Sequence, residues 1–345
     1  MTKEKQRIMA IILIGVLLCI VSLLALHLGT IMIPIGGGIQ SILNGMGIPV
    51  HFTEPITAEQ EAVLWFIRMP RLIIGLLVGG ALALAGAVMQ GVFSNPLADP
   101  GIMGVSAGAS LGAVIAIALG FTSLGMFYMP AFAFVGAFVS VGITILLTLR
   151  NNKLDTTTLL LAGVAVSMLL GAFTSGILTM INEYRLREFL FWMVGGLDFR
   201  RWDHVLLAVG PIMTGSVILM MLGRHLNVLV LGDTEARALG VPVMVYRMLF
   251  LFLSSVITAT AVCVSGSIGF VGLVVPHIVR LLVGPDHRIL LPMAAIGGAL
   301  FLVFCDTLGR VVAQPVEIRV GIMTALLGAP YFLYLLHRLR SKGGA

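Results

Sequence analysis

Polar residues are sparse and clustered along this chain, and the stretches between clusters stay apolar for about 17 to 24 residues at a time. A helix rising about 1.5 Å per residue needs about 20 such residues to cross roughly 30 Å of hydrocarbon. The pattern predicts ten membrane-spanning helices, over residues 8–28, 72–92, 102–119, 126–149, 158–181, 205–222, 248–264, 270–283, 289–308 and 320–336. Two of these look broken. The stretch 102–119 is interrupted by Gly104, Gly108 and Gly112, and 270–283 is short, follows Gly266-Ser267-Ile268-Gly269 and contains Pro276, His277 and Arg280. Short, interrupted helices at matching places predict two inverted repeats, the second to fifth and seventh to tenth spans, around a central pathway. The repeat rests on span pattern, with no residue-level repetition beside it.

Composition agrees: 59% of the 345 residues are hydrophobic and 10% charged. The fold class is an all-α polytopic membrane protein, read as a single domain over residues 1–345. The basic start and an apolar run of about 21 residues exceed the core of a signal peptide, and no small-x-small cleavage site follows, so the first run is a retained span. An even number of spans puts both termini on one side. Lys3, Lys5, Arg7, Arg338, Arg340 and Lys342 make it the cytoplasmic side, which leaves 13 basic residues inside and 8 outside. Cys19, Cys263 and Cys305 all fall within apolar runs, lack metal-ligand spacing and read as packing residues. No nucleic-acid partner is expected.

Two polar interruptions stand out. Asn95-Pro96-Leu97-Ala98-Asp99-Pro100-Gly101 is a proline-fixed knot between two spans, where irregular backbone is tolerated only inside protein or along a cavity. The segment 223–247 separates the sixth and seventh spans on the cytoplasmic side. Within it, Asp233, Glu235 and Arg237 mix with Ala236, Ala238 and Leu239 and are stopped by Gly240 and Pro242, the signature of a short exposed helix. Such a helix suits either a docking element or a solvated connector. On the outer side, Arg68 and Arg71 are three residues apart and would share a helix face, with Arg310 at the outer end of the ninth span. Exposed guanidinium groups suit carboxylate recognition, and equally suit anchors that snorkel to the interface. Asp306 lies one turn from Arg310 and could pair with it. His277 and Arg280 are read as structural, Arg280 snorkelling toward the cytoplasm or pairing with backbone carbonyls. Asp155, just before Thr156 and Thr157, is a good N-cap.

Catalytic readings are weak. Gly104-Val105-Ser106-Ala107-Gly108 fits G-x-S-x-G, but a nucleophile elbow needs a strand before it. The chain has no Gly-Lys dipeptide, hence no phosphate loop, and no His-Glu-x-x-His. An ion-coupled secondary transporter would place carboxylates near the midplane, whereas the acidic residues here sit at span ends and in loops.

Ordered blocks along nearly the whole chain carry a family resemblance: Arg68-Met69-Pro70-Arg71, Gly86-Ala87-Val88-Met89-Gln90, the Asn95 to Gly101 knot, Leu161-Ala162-Gly163-Val164-Ala165, Gly269 through Arg280, Asp286-His287-Arg288 and Thr324 through Pro330. The chain resembles the FecCD family of ABC importer permeases. That resemblance implies a cobalamin-permease-like fold of about ten helices, two of them short and broken. It implies pairing with a second copy or a paralogous permease, two ATPase subunits that hold ATP and Mg, and an external substrate-binding protein. The chain itself would bind no cofactor and would not be an enzyme. It further implies a cytoplasmic gate at Asn95, Leu97, Thr156 and Thr157, ATPase coupling through Asp233, Glu235, Ala236, Arg237, Leu239 and Gly240, and binding-protein docking at Arg68, Arg71 and Arg310. At Glu317-Ile318-Arg319 the sequence departs from the family pattern, a proline usually standing in place of Arg319, which adds a charge to the docking surface. The expected location is a bacterial or archaeal cell membrane. Family members move ferric siderophores, haem, cobalamin or oxyanions, and family base rate favours a ferric siderophore.

Overall fold

The computed structural model describes residues 3–51, 56–150 and 153–343. Over these the chain is helical apart from a minimal hairpin, Leu149–Arg150 paired with Lys153–Leu154. The helices in chain order are α1 (Lys3–His27), α2 (Ile35–Gly45), α3 (Ala58–Val63), α4 (Met69–Val92), α5 (Val105–Ala118), α6 (Tyr128–Thr148), α7 (Thr156–Leu178), α8 (Glu183–Met193), α9 (Trp202–Met221), α10 (Gly223–Leu229), α11 (Asp233–Ala238), α12 (Val243–Ser265), α13 (Val271–Val283), α14 (His287–Val312) and α15 (Val320–Gly343). A π-helical turn, Leu64–Arg68, joins α3 to α4. Among the described residues, seven helical stretches are long and apolar enough to cross a membrane, and three shorter apolar ones, Val105–Ala118, Val271–Val283 and Val320–Leu335, complete the expected ten.

Both helices expected to be broken are short, and each starts from a residue in the left-handed region, Gly104 (φ 80°) for α5 and Phe270 (φ 68°) for α13. Glycine adopts that conformation freely, whereas a phenylalanine there is strained and is held by its surroundings. Gly328 of α15 lies against the Phe270 side chain, and a Cβ at 328 would take its space. Each short helix follows a long, deeply buried one, α4 and α12.

The core forms around α4. Hydrophobic association adds little between helices in lipid, so close backbone packing has to hold them. A Cβ at Gly79 would overlap the Gly298 carbonyl of α14, and one at Gly86 would overlap the Gly272 carbonyl of α13. These glycines let three helices meet backbone to backbone. At the periphery α1 and α7 keep apolar residues exposed, Leu161, Val164, Met168 and Phe173 on α7 among them, as faces turned to lipid or to another subunit would. Two amphipathic pieces absent from the span pattern, α2 and α8, pack at the bundle's Arg71 end. Asn182 caps α8 by accepting from the Arg185 amide.

Candidate functional site

At one end, α4 stops at Val92 and the chain reverses through Ser94, whose φ is 47°. The Asn95 amide donates to the Gln90 carbonyl at 3.1 Å, the Asn95 side-chain oxygen accepts from the Leu97 amide at 3.0 Å, and the Ala98 amide returns to the Asn95 carbonyl at 3.1 Å. Asp99 then accepts from the Gly101 amide at 2.8 Å and opens a 3₁₀ turn, Pro100–Met103, that leads into α5. Several backbone groups of the knot are thus satisfied locally, as irregular chain at the end of a span requires. A turn rather than a strand precedes Gly104, so the nucleophile-elbow reading of Gly104 to Gly108 is excluded.

Thr156 and Thr157 begin α7 at the same end. Asp155 accepts from the Thr158 amide at 2.7 Å and from the Thr158 hydroxyl at 2.6 Å, the expected cap, and these bonds hold its carboxyl below the usual carboxylate range. Gly163 lies on the Ile102 carbonyl, which brings the start of α7 alongside the knot. Asn95, Leu97 and Thr156 are half-buried and Thr157 is exposed, so all four face open space.

Between α10 and α12 the chain forms the expected short helix. Gly232 (φ 117°) and Gly240 (φ 78°) bracket α11, and the Arg247 guanidinium donates to Asp233 at 2.6 Å. Glu235, Arg237, Leu239 and Gly240 are exposed, Leu239 at 63%. Ala236 is fully buried instead and seats α11 on the bundle. Of the six residues expected to couple, Asp233 and Ala236 hold the helix in place, while the other four are exposed.

A cavity of about 550 Å³ lies beside the knot, lined by Gln90, Asn95, Asn227, Arg280 and His287 among others. Arg280 takes part in no ion pair or hydrogen bond among the described residues and lines this cavity. Sequence reading missed Asn227 and placed His287 only within a family block, without a role of its own. Their partners lie about 60 residues apart in the chain, and no local spacing marks them.

At the opposite end the arginines behave differently from expectation. Arg68, Arg71 and Arg310 are 5%, 7% and 5% exposed, so the exposed arginine face is not found. Arg68 donates to the Leu26 carbonyl at 2.7 Å and to the Ile31 carbonyl, and Arg310 donates to the Ala25 carbonyl at 2.9 Å, so both cap the last turn of α1. Such carbonyls lack helical partners and carry the negative end of the helix dipole. Arg71 forks onto Asp306 at 2.9–3.1 Å and also meets Glu317 at 2.8 Å and Asp198 at 3.1 Å. Asp306 contacts Arg310 at 3.5 Å, as its position one turn away suggests, but it serves Arg71 first. The additional charge at Arg319 is also drawn inward, over the Phe191 ring at 4.4 Å and toward Asp198 at 3.8 Å. The physical reason is shared. At a membrane edge a guanidinium with five donors is most stable where fixed acceptors surround it. Above this cluster is a cavity of about 600 Å³ whose rim includes Phe66, Phe199, Arg200 and Arg201. Burial lowers the Arg200 guanidinium to about 10, which leaves it charged at neutral pH.

Ten apolar helices around a glycine seam, a satisfied polar knot at one end and a short exposed helix beside it define a multi-pass transport permease. The chain belongs to the FecCD transport family, whose profile it matches over residues 8–338. It is 47% identical over 289 residues to the cobalamin import system permease protein BtuC of Halobacterium salinarum, covering 84% of this chain and 76% of that one. Over 295 residues it is 44% identical to the hemin transport system permease protein HmuU of Yersinia pestis, covering 83% and 87% respectively. Among solved structures it superposes on a metal-chelate type ABC transporter in an inward-facing conformation with a TM-score of 0.83 and 32% identity, over 94% of this chain and 97% of the other.

Proposed function

We propose that this chain is the membrane-spanning subunit of an ATP-binding cassette importer for a metal chelate. Two copies, or this chain and a paralogue, would enclose the pathway, two ATPase subunits would dock inside, and an external binding protein would deliver the substrate. The observation that carries the reading is α11, a six-residue helix that presents Glu235, Arg237 and Leu239 away from the bundle, at the same end as the Asn95 knot, whose cavity Val230 also lines. The Asn95 end is then cytoplasmic, with both termini on that side in a prokaryotic cell membrane. The lack of a Gly-Lys dipeptide supports hydrolysis by a partner subunit. Apart from Asp306, which lies within α14 and is paired with Arg71, the carboxylates described above sit in loops or at helix ends, which supports coupling to ATP over an ion gradient.

On the outer face the binding protein would meet Phe199, 90% exposed, and the adjacent Arg200 and Arg201 at the rim of the larger cavity. Arg68, Arg71 and Arg310 would contribute to docking indirectly, by holding that rim together. The gate role of Asn95, Leu97, Thr156 and Thr157 has a direct test. Cysteine at Leu97, in a background lacking Cys19, Cys263 and Cys305, crosslinks between two copies and blocks transport. Absence of a crosslink in every nucleotide state, with short and long reagents, refutes the assignment.

The substrate class is a metal chelate. A ferric siderophore is the expectation from family base rate, and relatives named for cobalamin and hemin bring those chelates into the same class. Uptake by the reconstituted complex of a labelled panel of ferric siderophores, haem, cobalamin and molybdate tests the reading. ATP-dependent accumulation of one metal chelate is expected. Accumulation driven by a proton or sodium gradient without ATP would overturn it.

A further inference from the structure

The joint between the partner-facing helix and the gate turn is built from one asparagine. Asn227 lies on α10, three residues before Val230 and six before α11 begins. Its side-chain nitrogen donates to Asp286 at 2.8 Å in the turn between α13 and α14. Its side-chain oxygen accepts from the backbone amide of His287 at 2.9 Å and lies 2.7 Å from the His287 Nδ1. Because the amide oxygen can only accept, His287 carries its proton on Nδ1 and leaves Nε2 as an acceptor. That Nε2 is buried and has no hydrogen-bond partner among the described residues. The ring is therefore placed by Asn227 alone on its polar side.

What His287 touches gives the arrangement its meaning. A Cβ at Gly91 would stand 3.0 Å from the His287 Nε2 and 3.0 Å from Leu226 of α10, so this turn of α4 is bracketed by the two elements that Asn227 ties together. Gly91 also accepts from the Ser94 amide at 3.1 Å, and Asn95 follows directly. Motion of α10 thus reaches the knot through packed atoms, and the cavity of about 550 Å³ beside the joint leaves room for that motion. At the first residue of α11, Asp233 is clasped by Arg247 of α12. Two polar ties thus lead into the short helix, one to the turn between α13 and α14 and one to α12.

We propose that Asn227 is a positioning residue that transmits displacement of α11 to the gate turn at Asn95 and Leu97. This rests on α11 being the ATPase-coupling helix, and the test separates the two. The complete reconstituted importer carries Asn227→Ala, Asn227→Asp, or Asn227→Asp with Asp286→Asn, and an Arg237→Glu complex runs in parallel. Asn227→Ala keeps its ATPase subunits and hydrolyses ATP, but ATP consumed per substrate moved rises about tenfold, within the range of ordinary coupling free energies. Nucleotide no longer changes the Leu97 cysteine crosslink. Asn227→Asp sets two carboxylates face to face and uncouples equally. The double exchange restores a donor at 286 and two acceptors at 227, and with them the stoichiometry. An unchanged ratio in Asn227→Ala, or a parallel fall of hydrolysis and transport that the double exchange does not rescue, overturns the proposal. If Arg237→Glu leaves ATPase association and transport intact, it is the coupling assignment of α11 that has failed.

Discussion

Replacing Arg71 with alanine is expected to lower the stability of the detergent-solubilised permease by about 3–5 kcal/mol, the usual cost of removing one partner from a buried ion cluster. Asp306, 6% exposed at its side chain, would be left with Arg310 at 3.5 Å, and Asp198 and Glu317 would face each other without their common cation. Asp198 retains only the more distant Arg319. Arg201, whose side chain is 70% exposed beside Asp203 at 4.0 Å, is the matched control, with a loss below about 1 kcal/mol. Unfolding of both variants monitored by thermal denaturation distinguishes them. Equal small shifts would mean that the cluster is solvated and that Arg71 is free to meet an external carboxylate directly. A charge reversal at Arg68 or Arg71 tests folding first, so docking itself is better probed at Arg200 and Arg201.

Reversing or burying charge on the outward face of α11 is expected to abolish transport. Leu239→Asp places a carboxylate on the most exposed apolar residue of the segment, and Arg237→Glu inverts the one cation within α11. Because a few central apolar and arginine residues dominate most interfaces, each should weaken ATPase association roughly tenfold or more. Co-purification of the ATPase with the variant permease measures this directly. Wild-type recovery and wild-type uptake for both variants would make α11 a solvated connector. Ala236→Pro is the wrong probe, since Ala236 is buried and proline inside so short a helix removes it altogether.

Much of the fold was legible because a membrane span is a statement about length. Apolar runs found ten helices, and the glycines and Pro276 marked the two short ones. The helix at 233–238 was legible from punctuation, charged residues closed by Gly240 and Pro242. What stayed hidden depends on partners distant in sequence. Arg71 meets Asp306 and Glu317 across 235 and 246 residues, and Arg68 meets carbonyl groups, which no residue code announces. Reading the arginines as exposed was reasonable from their place at a span end and wrong because three acids and one helix terminus converge there. The helices α2, α3 and α8 were invisible for another reason. They are too short or too polar to register as spans, although Thr57 and Asn182 signal their caps. Asn227 lay within the segment 223–247 but looked like any loop asparagine until the fold delivered His287 to it.

Direct backbone contact along α4 also decides what can serve as a frame of reference. Where Gly79 meets Gly298 and Gly86 meets Gly272, no side chain intervenes to be compressed or to change rotamer, so those helices cannot separate or rotate by small adjustments. Two spans, α13 and α14, are keyed to one shaft, α4. The knot at Asn95 is attached to the lower end of that shaft and α11 is suspended beside it, so a push on the short helix works against a rigid post instead of dissipating into a pliable bundle.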